Sequence, residues 1–199
     1  YSSAASDVYK RQPWTILAAG AAIQVLTGIP AAWGVFQQPV MDEYGLSEQG
    51  AGYAFGILIA AFGVGCVLGG FLQDSRGPRC AALWGTALLC GGFFAAAMLP
   101  GGSAGSFFLA FSIPAGLGTA FLYPSIQSCA QKWYAGRKGL ATGVIGGAVG
   151  LSGAFLTVFV RTAVSGFGIV QGIRGAFWAL GAITCLLYTS PSPRDRSVS

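Results

Sequence analysis

Apolar runs of about 20 residues, the length that carries a helix across a hydrocarbon core of roughly 30 Å, recur along this chain with short polar turns between them. Their approximate limits are Trp14 to Phe36, Ala51 to Leu72, Cys80 to Leu99, Phe107 to Gln131 and Gly139 to Val160, with a further run from Gly175 onward. Asp, Glu, Lys and Arg avoid all of these interiors. The avoidance is physical, because one such charge at a helix centre costs about 2.5 to 3.5 kcal/mol. In lipid a backbone must satisfy its own N–H and C=O groups, and runs of this length do so as helices. The spacing therefore predicts an all-α, polytopic membrane helix bundle of five spans and part of a sixth, in a multi-pass integral membrane protein whose membrane the sequence does not name.

Composition matters here for what it excludes. With 9% charged and 54% hydrophobic residues, against roughly 25% charged in a soluble chain, water cannot be the main solvent. The spans hold no acid, no histidine exists in the chain, and no nucleophile stands beside a base, so no catalytic residues are expected. Cys66, Cys80, Cys90 and Cys129 lie in or beside apolar runs without metal or disulfide spacing. No metal and no cofactor is expected.

The two ends read as foreign to the bundle. The codons that can encode Asp7 to Gln12, reverse-complemented and read one base in, give Cys-Leu-Leu-Tyr-Thr-Ser, the sequence of Cys185 to Ser190. One inverted element explains both, so residues 1–12 and 185–199 are expected to be adapter-derived or disordered and not native, leaving 13–184 as the N-terminal transmembrane half-bundle, an internal fragment. Of the charges behind the net +5, Lys10, Arg11, Arg194 and Arg196 against Asp7 and Asp195 lie in those ends. The basicity is thus no sign of a nucleic-acid partner.

Loop charges set the orientation. Arg76 and Arg79 in the second loop and Lys132, Arg137 and Lys138 in the fourth fall on one side of alternating spans, with Asp42, Glu43 and Glu48 on the other. The basic loops are expected to be cytoplasmic. The second loop, Gly69 to Arg79, packs three charges and a Gly-Pro turn between two charge-free runs. Asp74 and its arginines fit a reversible ionic latch between helix ends as well as a plain topology signal.

Helices in lipid gain nothing from water exclusion, so close contact calls for small residues at four-residue spacing. Gly139, Gly143 and Gly147 form such a stripe on the fifth span, expected to serve helix packing, with Gly146, Gly150 and Ala154 beside it. Proline interrupts the first span at Pro30 and the fourth at Pro114 and Pro124. Interruptions of this kind fit either a simple kink or a binding region near mid-membrane. Polar residues recur at helical spacing, Gln24 and Thr27 on the first span and Thr119, Tyr123 and Gln127 on the fourth, in line with Gly116. These five are the candidate solute contacts, on faces suited to a water-filled cavity. Interhelical hydrogen bonding, worth about 0.6 kcal/mol each, is the competing use. Trp14, Trp33 and Trp133 are expected to anchor span ends at the interface.

The loop carrying Gly70, Asp74, Arg76, Gly77 and Arg79 resembles the G-x-x-x-D-R-x-G-R signature between helices two and three of the major facilitator superfamily, with Ser75 where a basic residue is usual. Gly28 to Phe36, Gly116 through Tyr123-Pro124, and the run Trp133-Tyr134-Ala135-Gly136-Arg137-Lys138-Gly139-Leu140-Ala141-Thr142-Gly143 resemble the oxalate/formate antiporter branch. Monocarboxylate transporters share the Gly-Val-Phe run and a proline at the position of Pro30. Ala31 stands where the antiporter branch usually has tyrosine. The resemblance implies the N-terminal six-helix half, sixth helix truncated, of a twelve-helix fold that moves a small carboxylate by alternating access. It also implies that a C-terminal half, missing from this chain, supplies the cations that meet the carboxylate. A facilitator of another small solute, or a transporter-like receptor or sensor without turnover, remains open at this stage.

Overall fold

The computed structural model describes Trp14 and residues 17–25, 27–100, 104–134, 136–167, 175 and 178–180. Most of the last apolar run and both expected adapter segments lie outside these residues. The described chain is a helix bundle, and no strand occurs among the described residues. A helical stretch over residues 17–25 leads to α1 (Ile29–Tyr44), followed by α2 (Glu48–Arg76), α3 (Pro78–Met98), α4 (Ile113–Trp133) and α5 (Lys138–Phe167). Four stretches, Glu48–Arg76, Pro78–Met98, Gly105–Trp133 and Lys138–Thr162, are long and apolar enough to cross a membrane.

Helix ends follow local chemistry. Ser47 caps α2 by accepting a hydrogen bond from the Gly50 N–H at 3.1 Å. At its other end Gly77 adopts φ +88°, which a side chain disfavours, and Pro78 starts α3 with no N–H to lose. The first span runs on to Tyr44, so Asp42 and Glu43, expected in a loop, belong to the last turn of α1. Glu43 is buried there.

α4 is the hub of the bundle because its small residues let neighbouring backbones approach. A methyl on Gly118 would meet the Gly85 carbonyl and the Leu89 nitrogen of α3 at 2.7 Å. Gly116 is pressed against Leu58 and Ala61 of α2, while Gly65 and Gly69 of α2 lie against Ala120 and Phe121. The approach to α4 passes through a helical turn, Ala104–Phe107, and a π-helical turn, Phe108–Ser112. Pro114 cannot donate to the Ala110 carbonyl, and the widened turn instead sends the Ile113 N–H to the Phe108 carbonyl.

An aromatic layer closes the end of the bundle opposite the second loop. Tyr44 packs on Phe107 with centroids 4.7 Å apart, Phe107 on Phe111 at 5.1 Å, and Phe111 on Phe93 and Trp33 at 5.9 and 6.3 Å. The Tyr44 hydroxyl donates to the Ala96 carbonyl at 2.6 Å. Trp33, expected as an interfacial anchor, is buried in this layer. Its ring contributes more as packed area than it would at the interface. Trp14 is exposed and meets Tyr134 edge-on.

Among the described residues no helix packs on the stripe Gly139, Gly143, Gly147. All three are exposed, and no described residue lies within 4 Å of where a side chain would begin on any of them. α5 packs instead through the opposite face, Ala141, Ile145, Ala148, Ser152 and Leu156. Glycines offer no side chain to bury, so among the described helices the apolar face wins.

Candidate functional site

Two bonds of local chemistry shape the first helix. Pro30 denies an N–H to the turn before it, and the helix breaks at Gly28, with φ −73° and ψ 39°. The Gly28 carbonyl then accepts from the Ala32 N–H at 3.2 Å and from the Ser152 hydroxyl of α5 at 3.0 Å. Ser152 is wholly buried and also lies 2.6 Å from the Val149 carbonyl. Carbon at Gly28 beyond Cα would collide with the Ser152 side chain. A sequence-level expectation of interruption at Pro30 is met, and its partner on α5 is new. Nothing in the sequence marks Ser152, since pairing of the first helix with α5 is a property of the fold.

Gln24 and Thr27 lie one turn below this break, and both are buried. The Thr27 hydroxyl sits 3.0 Å from the Ile23 carbonyl and 2.9 Å from Gln24 Oε1. One hydroxyl proton serves one of these acceptors at a time. Gln24 Nε2 has no hydrogen-bond partner among the described residues. A buried amide donor left unmade costs about 1 to 3 kcal/mol, so this nitrogen is the most exacting polar atom of the first helix.

On α4 the stripe divides by depth. Gly116 is consumed in contact with α2, and Thr119 is buried with its hydroxyl 2.8 Å from the Ala115 carbonyl. Tyr123 and Gln127 are half-buried and make no hydrogen bond to a described residue. The first helix meets α4 at Gly20, where an added methyl would lie 3.1 Å from Ile126. No hydrogen bond joins Gln24 or Thr27 to Thr119, Tyr123 or Gln127. The two sets occupy neighbouring helices as separate groups.

Asp74, Arg76 and Arg79 surround the turn at Gly77 and are exposed. None of them forms an ion pair with a described residue. Of the paired glycines before the turn, Gly69 packs against Phe121 while Gly70 faces open space. Lys132, Arg137 and Lys138 line the α4–α5 turn, all exposed, and the turn is held by the Arg137 N–H donating to the Tyr134 carbonyl at 2.8 Å. Beneath it Gln131 Nε2 donates to the Thr142 hydroxyl at 3.0 Å. That cross-helix bond was invisible to spacing arguments, because it joins two residues read separately as parts of one linear run.

Comparison with known proteins places these features. The family model for the Major Facilitator Superfamily matches residues 14–196. The chain is 24% identical over 163 residues to the oxalate:formate antiporter of Oxalobacter formigenes, covering 82% of this chain and 37% of that protein. It is 29% identical over 172 residues to an uncharacterized 38 kDa protein in the 23S RNA operon of Thermoproteus tenax, covering 86% of this chain and 43% of that one. The chain thus spans less than half the length of either relative.

Proposed function

The chain belongs to the major facilitator superfamily, an integral multi-pass membrane family, and on that premise we propose that it forms the N-terminal half of a carrier moving a small organic anion by alternating access. The observation that carries this reading is a first helix broken at Gly28 with, one turn before it, the buried side chain of Gln24, whose Nε2 has no partner among the described residues. Similarity to an oxalate:formate antiporter supports a mono- or dicarboxylate as the solute.

In this reading Gln24 and Thr27 on one side and Tyr123 and Gln127 on the other give hydrogen bonds and an aromatic wall, and Thr119 sets the depth of the α4 face. The solute's charge is met by cations of a C-terminal half, because a buried, unpaired carboxylate costs several kcal/mol. The open glycine stripe Gly139, Gly143, Gly147 gives that second half a surface for close approach. The loop of Gly70, Asp74, Arg76, Gly77 and Arg79 works as a latch that is open here and closes in another transport state. Lys132, Arg137 and Lys138 keep the same face cytoplasmic.

Competition uptake tests the proposal. Each of Tyr123→Ala and Gln127→Ala, at unchanged surface expression, is expected to raise half-saturation for small-carboxylate uptake about 2- to 12-fold, the worth of one hydrogen bond. Formate, oxalate, lactate and pyruvate serve as competitors. Unchanged affinity in both variants removes this face from the site.

A further inference from the structure

A cleft of about 230 Å³ opens between the first helix, the start of α3 and the second half of α4, walled by Ala19, Ile23, Pro78, Ile126 and Ala130 with Arg79 at its rim. Ala19, Arg79 and Cys129 are exposed, so the cleft faces outward from the bundle. Its second polar side chain, Ser125, is already committed, since its hydroxyl donates to the Phe121 carbonyl at 2.8 Å. Arg79 makes no hydrogen bond or ion pair with a described residue. The cleft is therefore an apolar trough with one free guanidinium.

Three occupants can be weighed by their chemistry. Water needs two to four polar partners, which the walls do not offer. A small carboxylate could meet Arg79 but has no hydrocarbon to cover Ile23 and Ile126, leaving a gap that forfeits dispersion contact. A phospholipid supplies both parts, a phosphate for the planar donors of arginine and an acyl chain for the trough. The surrounding face selects among lipids. Arg76, Lys132, Arg137 and Lys138 share it with Arg79 against Asp74 alone, which attracts an anionic headgroup over one that carries its own cation.

We propose that this cleft binds one anionic phospholipid, its phosphate on Arg79 and an acyl chain along Ile23 and Ile126. The cleft adjoins the candidate solute face, with Ile23 next to Gln24 and Ile126 next to Gln127 in the chain, and its occupancy by lipid does not depend on which solute is carried. Occupancy would brace the start of α3 against the first helix.

Native mass spectrometry of the intact protein released from nanodiscs of equal phosphatidylglycerol and phosphatidylcholine tests this. One phosphatidylglycerol is expected to stay bound in preference. Arg79→Gln, at an exposed position, is expected to lower its retention about fivefold or more, whereas Lys132→Gln, outside the cleft, leaves it unchanged. Ala19→Phe fills the trough and displaces the lipid whatever its headgroup. Equal retention of the two lipids, or equal losses from Arg79→Gln and Lys132→Gln, overturns the proposal by reducing it to diffuse surface charge. Displacement of the lipid by oxalate also overturns it, and would assign the cleft to the solute; unchanged lipid retention in saturating oxalate keeps the two ligands apart.

Discussion

The contact between Gly28 and Ser152 can be tested by a compensating pair. Alanine at position 28 is free of backbone strain, because φ is −73°, so the whole penalty of Gly28→Ala is steric. Its methyl would run into the Ser152 Oγ and Cβ, while the next nearest atom, the Gln24 carbonyl oxygen, lies 3.3 Å away. Overpacking of this kind costs about 1 to 3 kcal/mol. The obstructing atoms belong to a single side chain, so Ser152→Gly clears them, at a cost of its own. That cost is one hydrogen bond, about 0.6 kcal/mol in membranes, plus the weaker helix propensity of glycine, at most about 1 kcal/mol. Ser152→Ala keeps Cβ and relieves only part of the collision. The expected order of stability, by reversible unfolding in mixed micelles, puts the Gly28→Ala/Ser152→Gly pair above Gly28→Ala alone despite its two lesions. A coupling of about 1 kcal/mol or more in the double-mutant cycle is expected. Additive losses would refute the reasoning, since they would mean that Ser152 is not what fills the space beside Gly28.

Three further perturbations address the rest of the bundle. Tyr44→Phe removes the bond to the Ala96 carbonyl while keeping the ring on Phe107, and is expected to cost about 1 kcal/mol, measured by the same unfolding assay. Asp74→Asn in the intact protein is expected to slow exchange cycling with little change in solute affinity, because Asp74 is exposed at the end of α2 whereas Gln24 is buried within the bundle; normal cycling with weakened binding would contradict that role. Cysteine introduced at Ser75 or Gly136, with the native cysteines replaced, is expected to react in intact cells only with membrane-permeant reagents, and cysteine at Gln49 with impermeant ones. The reverse pattern would invert the orientation.

Much of the fold was legible because lipid makes demands that sequence must meet one helix at a time. Charge-free length gave four of the spans to within a few residues, and Gly77-Pro78 gave the turn between α2 and α3. What escaped was lateral. Linear spacing names the small residues of a helix but not the neighbour each one faces, so the conspicuous stripe at Gly139, Gly143 and Gly147 drew attention while the close approaches fell to Gly116 and Gly118. Trp33 was misplaced for the same reason. A tryptophan near a span end reads as an anchor only if the span ends there, and α1 continues to Tyr44. Of the candidate solute residues, Thr119 was found on the predicted face yet spends its hydroxyl on its own helix, a distinction that polarity and period cannot make.

The bonds that sequence could not pair have a common member. Ser152 on α5 holds the break in the first helix, and Thr142, also on α5, accepts from Gln131 on α4. One helix therefore ties both elements that carry the candidate solute residues, at two levels about ten residues apart, through side chains on its packed side. Its opposite side presents open glycines. A helix bonded inward to both elements ties the Gly28 break and the end of α4 to one body, so neither can slide along α5 without breaking the bond at Ser152 or at Thr142.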